Sequence, residues 1–390
     1  MRIRLPFATP VIARNRPEPT LAEIARSLVS TGDAGQSRQF VVGLRTALDL
    51  ESDPLLSPSG RAALYYLLRA QPHQRVYLPA YTCWVVAEAA RLAGREVHFL
   101  DIEYPGLHLK PAELERISRA PGAVVLTHQF GWADDARRAR AILGADHFRI
   151  EDCAGALGAR FRDRPVGLEG DAAIFSFEAG KMLGCGGGAV TIRDASLREQ
   201  VRKEIDQYAL PAAGRYDLLI LAARRCATAP WLYAGLLRAA LLFRAPTSGP
   251  PPDATSPGAW YRRGMGAGQV ALGLLQLRRL EQTLLRRRRL LEHYHRALDD
   301  LPALNPVPAL AGTQFGPIRA PVLYAGDKFA LHRRLLRHGI DLGFSFSYCL
   351  ANEGEFPGAA RFAREVINLP LYSDLLHADR VVAALRSTLN

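Results

Sequence analysis

The chain has 390 residues, 48% of them hydrophobic and 23% charged, enough apolar material for a large domain and a smaller one. Its net charge is +12, from 50 Lys and Arg against 38 Asp and Glu, but the basic residues are scattered rather than gathered into an arm, so no nucleic-acid partner is expected. The five cysteines (Cys83, Cys153, Cys185, Cys226, Cys349) form no CxxC pair and no uncharged apolar run reaches spanning length, which excludes a disulfide framework, a zinc site and a membrane-crossing helix as expectations.

Residues 1–35 read as an N-terminal arm with one short helix at 21–29. The N-terminus has no apolar core of signal-peptide length, so a cytoplasmic, reducing location is expected. From 57 to 195, β-rich runs alternate with helical runs. Strands are expected at 75–79, 96–102, 123–128, 147–152, 172–177 and 188–192, with helices at 81–93, 111–119 and 133–143 between them. That alternation implies βαβ units and a mostly parallel central sheet.

Residues 205–245 differ, with two apolar stretches, LLILAA (218–223) and WLYAGLL (231–237), punctuated by arginines. The Pro/Gly/Ser-rich 246–258 reads as an exposed loop. The periodic leucines of 269–298 predict one long helix, with the arginines of 286–289 on its solvated face. Residues 305–390 return to short strands and helices. The resulting division is an arm at 1–35, a large cofactor-binding domain at 36–265, and a long helix with a small C-terminal α/β domain at 266–390.

In open α/β sheets, ligands bind beyond the carboxyl ends of the strands. Those loops read PAYTCW (79–84), HQFGW (128–132), EDCAGALGA (151–159) and SFEAGKMLGCGGGAV (176–190). They supply a thiol and aromatics, a His, a carboxylate pair, and a lysine flanked by Ser and glycines. No nucleophile elbow, dinucleotide fingerprint or P-loop occurs. Only four of the basic residues are lysines: Lys110, Lys181, Lys203 and Lys328. One lysine and one Asp at strand ends suit pyridoxal 5'-phosphate, which needs an imine lysine, a carboxylate against its ring nitrogen and a phosphate cup. Lys181 and Asp152 fill the first two roles, and Ser176 could bond the phosphate. Ser59-Gly60-Arg61-Ala62 opens a helix, and a helix N-terminus is an anion site.

These loops, together with SGRAALYYLL (59–68), GDAAIFSFEAGK (170–181), MGAGQVALGLLQLRRLE (265–281) and INLPLYSDL (367–375), resemble the DegT/DnrJ/EryC1/StrS sugar aminotransferase family. The resemblance implies an α/β type I fold of the aspartate-aminotransferase kind and a homodimer. It implies Lys181 as the imine lysine and Asp152 as the ring-nitrogen partner, with Ser176 and the Gly60-Arg61 turn on the phosphate. It implies ping-pong amino transfer from a small-molecule donor, glutamate, to a keto-sugar, nucleotide-linked, for cell-envelope polysaccharide or a secondary metabolite.

Several positions depart from the family pattern. Cys83, followed by Trp84, stands where an aromatic usually stacks on the cofactor. Gly155 replaces a Gln, Arg61 replaces a Thr, and the Asn that reaches the neighbouring subunit's site has no match in 261–265. His128 reads as a residue that orients its loop or packs near the ring rather than as an acid or base. Two readings of 215–245 stay open: a helical pair packed on the enzyme or its dimer partner, or a peripheral contact with the inner face of a membrane. Rival activities also stay open: the same fold acting on a lipid-linked or other non-sugar substrate, or a non-catalytic binder.

Overall fold

The computed structural model describes residues 10–31, 34–210, 215–242 and 256–389. The chain opens with α1 (Leu21–Leu28) and α2 (Ala34–Ala47). Then come β1 (Leu55–Ser57), α3 (Gly60–Ala70), β2 (Arg75–Pro79), α4 (Trp84–Leu92), β3 (Glu96–Leu100), α5 (Pro111–Ile117), β4 (Ala123–Thr127), α6 (Ala136–Leu143) and β5 (Phe148–Asp152). Two short strands, β6 (Arg160–Phe161) and β7 (Arg164–Pro165), precede β8 (Ala172–Ser176) and β9 (Gly188–Ile192). Five helices follow: α7 (Ala195–Tyr208), α8 (Arg215–Ala227), α9 (Pro230–Leu242), α10 (Ala267–Leu277) and α11 (Leu280–Leu298). The C-terminal part holds β10 (Leu304–Pro306), β11 (Thr313–Gln314), β12 (Ala320–Tyr324), α12 (Lys328–Arg337), α13 (Pro357–Glu365), β13 (Val366–Leu369) and α14 (Ala378–Leu389).

The main sheet runs β1-β9-β8-β5-β4-β2-β3. Its middle is parallel, and β9 and β1 add antiparallel at one edge. Strand alternation divides the side chains between two covered faces. Val76, Leu78, Ala123 and Val125 pack with α3 and α4, while Tyr77, Val124 and Leu126 pack with α5 and α6. This apolar content on both faces is what holds the strands parallel and buried.

A three-stranded sheet, β10-β12-β13, forms the C-terminal part. A second small sheet, β11-β6-β7, ties that part back to the loop after β5. One apolar cluster runs from Leu126 and Ala139 through Leu291 and Tyr294 to Val381 and Leu385, so the two parts share a core.

The expected strands appear within two residues of their predicted ends. The long helix over 269–298 does not: it is two helices, α10 and α11, broken at Arg278 and Arg279. Arg279 leaves helical geometry at φ −119°, and its guanidinium bonds Glu23 at 2.6 Å and the Glu18 carbonyl at 3.0 Å. The break lets α10 pack on α1 and α2 while α11 turns toward the C-terminal core. The arginines at 286–289 are not a wholly solvated face either. Arg287 is buried and pairs with Glu18 at 2.6 Å. The loop predicted at 246–258 lies outside the described residues up to 255.

Candidate active site

Parallel strands end on one edge, and β5 sets Asp152 there opposite Thr127 of β4. β8 ends at Ser176, and the segment from Phe177 to Gly187 leaves the sheet and returns as β9. Its neck is closed by Phe177 N–H to Gly187 O (3.0 Å) and Gly186 N–H to Phe177 O (2.6 Å). Lys181 lies at the far part of that excursion.

The N-terminus of α3 meets the same edge. Ser59 caps it, accepting from Ala62 N–H at 3.1 Å, and bridges Gly187 in register. A Cβ on Gly60 would fall 2.7 Å from Ser176 Cβ, so glycine is required for the helix to approach β8 this closely. Free N–H groups of a helix start and the Ser176 hydroxyl therefore face one another, a cradle suited to a phosphate.

One Asp152 carboxylate oxygen accepts from Ala154 N–H at 2.9 Å; among the described residues the other has no hydrogen-bond partner. Burial lifts this carboxyl above its ordinary range, against the pull of the Ala154 N–H, the Lys181 charge and His128. The Lys181 side chain is half-buried and forms no ion pair or hydrogen bond with any described residue. Cys83 lies within electrostatic reach of both; burial raises its thiol while Lys181 and Arg61 pull it back. It caps α4 without a side-chain hydrogen bond.

His128 is buried with both ring nitrogens engaged. Nδ1 accepts from Asp134 N–H at 3.0 Å, so the proton sits on Nε2, which donates to Glu151 at 2.8 Å. Glu151 also accepts from Gly167, Glu169 and Gly170 N–H; His128 first, then the Gly167 and Gly170 N–H groups, hold its carboxyl low despite burial. His128 thus fixes the loops after β4 and β5 and has no nitrogen left for a ligand. Gly155 packs against that turn: a Cβ there would lie 3.3 Å from Phe130 N and 3.4 Å from Ile318 Cδ1. A larger residue would have to push the turn aside.

Arg61 turns toward Trp84, its guanidinium 5.3 Å from the indole centroid, and reaches Glu88 at 3.5 Å. Glu88 in turn accepts from Tyr261 Oη at 2.7 Å. Lys181, Asp152, Cys83, Ser176 and the Ser59-Gly60-Arg61 turn are therefore gathered at one edge, with Trp84 joined to it through Arg61. His128 and Gly155 form the wall behind.

Sequence reasoning missed three residues of this region. Tyr348 Oη accepts from Trp84 N–H at 3.2 Å, and Arg319 donates to Ile318 O at 2.8 Å and to Gly180 O at 3.4 Å. The Asn15 amide stands by Gly180. They arrive from the arm and the C-terminal part, with no strand-end motif to mark them.

The DegT/DnrJ/EryC1/StrS aminotransferase family model matches residues 56–229 and 253–386. The chain belongs to this family. SpsC of Bacillus subtilis, a spore coat polysaccharide biosynthesis protein, is 26% identical over 413 residues, covering 98% of this chain and 96% of that protein. A UDP-N-acetyl-3-dehydro-alpha-D-glucosamine 3-aminotransferase of Acidithiobacillus ferrooxidans is 34% identical over 37% of this chain and 41% of its own length. The fold matches the aminotransferase TlmJ of Streptoalloteichus hindustanus with a TM-score of 0.74 at 23% identity, over 97% and 99% of the two chains. The fold is thus the type I fold of pyridoxal-phosphate enzymes, and the family is one of pyridoxal-phosphate-dependent aminotransferases.

The residues present fit that cofactor. Among the described residues the Lys181 side chain has no ion-pair partner and Asp152 keeps one oxygen without a donor, and the Gly60–Ser176 cradle offers N–H and hydroxyl groups at the right edge.

Proposed function

We propose that this aminotransferase moves an amino group from glutamate to a keto-sugar, nucleotide-linked, that feeds cell-envelope polysaccharide or secondary-metabolite synthesis. The observation that carries the reading is Lys181, a lysine without an ion-pair partner among the described residues, within electrostatic reach of Asp152, a buried carboxylate with one oxygen unpartnered among them. The names of SpsC and of the Acidithiobacillus 3-aminotransferase, a polysaccharide protein and a sugar-nucleotide enzyme, support the substrate class.

When bound, pyridoxal phosphate supplies a ring that accepts the electron pair freed as a C–H bond beside nitrogen breaks. The reading gives Asp152 the ring N–H and gives Ser176 and the first N–H groups of α3 the phosphate oxygens. Lys181 Nζ would be the base that takes the proton from the donor Cα and holds it for return as the acid. Cys83 packs where an aromatic is usual, and the Trp84–Arg61 pair closes that side.

The reading includes a homodimer working in the cytoplasm. Apolar residues exposed on α8 and α9, among them Leu219 and Trp231, support a protein contact there. No helix among the described residues is long and apolar enough to cross a membrane.

The test is spectral. Purified protein should show the visible band of lysine-bound cofactor, and Lys181→Ala should lose it. L-Glutamate should bleach the band, and the correct keto-sugar nucleotide should restore it; a wild-type protein without the band would overturn the reading.

A further inference from the structure

The edge of the main sheet opposite the active site carries a cavity of about 600 Å³. It lies where β8 begins at Ala172 and β9 ends at Ile192, and the link from α2 to β1 also lines it. The whole of β8, roughly 13 Å at the usual rise per residue, separates it from Ser176. Its volume is that of a small-molecule site, and Leu50, Leu168 and Ile192 give it apolar walls.

The charged groups at this cavity divide into spent and unspent ones. Asp171 is spent, taking Arg149 Nε at 2.9 Å and Nη2 at 2.8 Å. Asp53 faces Arg45 at 3.2 Å. Arg193 and Arg198 form no ion pair with any described residue. Arg193 donates to Leu168 O and Arg198 to Asp53 O at 3.0 Å, which leaves each guanidinium its charge and further N–H groups. Glu51, on the link, likewise makes no ion pair or hydrogen bond among the described residues. A smaller hollow of about 240 Å³, lined by His73, His147 and Phe148, shares Asp171 and Arg193 with the larger one. Arg193 is thus the cation common to both.

We propose that this cavity is a second ligand site, which takes a nucleoside phosphate. Arg193 and Arg198 hold the phosphate oxygens, the nucleoside fills the apolar-walled part, and Glu51 accepts from a sugar hydroxyl or a base N–H. Planar guanidinium groups match phosphate in geometry as well as charge. Inorganic phosphate alone would leave most of the cavity empty and Glu51 unmet. A wholly apolar ligand would leave both arginines without a partner, and a nucleic-acid strand would bring further phosphates against Glu51 and Asp53. A molecule with one anionic end and one neutral, hydroxyl-bearing end satisfies all three groups. The inference goes beyond the aminotransferase reading, since no residue lining the cavity belongs to the Lys181 edge.

The experiment is calorimetry of the protein as purified with UDP, dTDP, GDP and ADP, and with uridine and inorganic pyrophosphate. It compares wild type with the double variant Arg193→Gln/Arg198→Gln and with Ala195→Glu. Ala195 lines the cavity, is exposed and opens α7, where a carboxylate is well tolerated. At least one of the four nucleotides should bind wild type, and both variants should weaken it by at least ~10-fold, because charge-assisted bonds are lost or opposed. Uridine should bind more weakly than UDP and change by less than about 3-fold in the double variant, since it has no phosphate to lose. No binding by any of the four nucleotides would overturn the site. Nucleotide affinity unchanged in both variants would place the binding elsewhere, the Lys181 edge included, and overturn it equally. Pyrophosphate binding as tightly as the best nucleotide would remove the nucleoside from the assignment. Urea midpoints equal to that of wild type establish that the variants are folded, and either variant alone suffices for the comparison.

Discussion

Asp152 is a carboxylate only half compensated by the protein. Burial raises its pKa, and the Ala154 N–H, Lys181 and His128 oppose that only in part, so a cationic partner at the free oxygen would restore its charge. Asp152→Asn should keep the fold but lose that electrostatic support, lowering the rate of the glutamate half-reaction by roughly 100-fold or more. Stopped-flow bleaching of the cofactor band measures it; a loss below tenfold would remove Asp152 from the site. Lys328 poses a different problem. Its ammonium is buried with no carboxylate of the described residues paired to it, donating to Ala363 O at 2.7 Å and Ser347 Oγ at 3.1 Å, and burial lowers its pKa from 10.5 to about 8. Below pH 8 it is charged in both folded and unfolded chains. Between about 8 and 10.5 the unfolded chain holds the extra proton, so stability rises with pH. Urea melts of wild type should therefore gain roughly 2 kcal/mol over Lys328→Met across that window. A flat difference would mean the amine titrates normally.

At the scale of elements, α8 and α9 stand apart. Each buries one side, through Leu218 and Leu221 on α8 and Ala234 on α9. Each also exposes apolar groups: Tyr216, Leu219 and Ile220 on the first, Trp231, Leu232 and Leu236 on the second. Single exposed apolar residues are ordinary, but a run along two adjoining helices marks a contact surface. Leu219→Gln combined with Trp231→Gln and Leu236→Gln should shift sedimentation from dimer toward monomer. Cosedimentation with anionic vesicles should be absent in wild type; vesicle binding that the triple variant abolishes would establish the membrane reading.

This contrast shows which elements were legible in sequence. The strands with alternating or continuous apolar runs, and the loops at their ends with Asp152, Ser176 and Lys181, could be read because their signals are local. The break at Arg278–Arg279 could not, because the leucine period continues through it. It depends on Glu18 and Glu23, more than 250 positions away in the chain. Arg319, Asn15 and Tyr348 were illegible for the same reason: each is ordinary in its own segment and becomes part of the site only through contacts across the fold.

Across the whole molecule, the segment before α1 is fastened to distant parts of the chain. Glu18 is buried against Arg287 of α11 and also accepts from Ser373 N–H at 3.0 Å. Arg14 reaches Asp341 at 2.7 Å, and Arg16 reaches Asp374 at 3.1 Å. Removing one partner of a buried pair strands the other charge. Glu18→Gln should therefore cost about 3 kcal/mol, read as a lower urea midpoint, whereas losing the half-exposed Arg16 pair should cost under ~1 kcal/mol. Equal costs would mean that the Glu18–Arg287 charges are solvated in the folded protein.

The neck at Phe177–Gly187 has a consequence for how this protein can change. Two opposed backbone hydrogen bonds close the excursion where it leaves β8 and rejoins β9, and Met182, Leu183 and Cys185 seat it in the core while Glu178 stays exposed. A lysine there can detach from its ligand and return through its own rotors, with no strand required to move. Selection can therefore alter Lys181 and the exposed Glu178 at little cost to the fold, but not the buried residues between Met182 and Cys185. Chemistry and fold are thus written in neighbouring positions of one loop, and only the first can change freely.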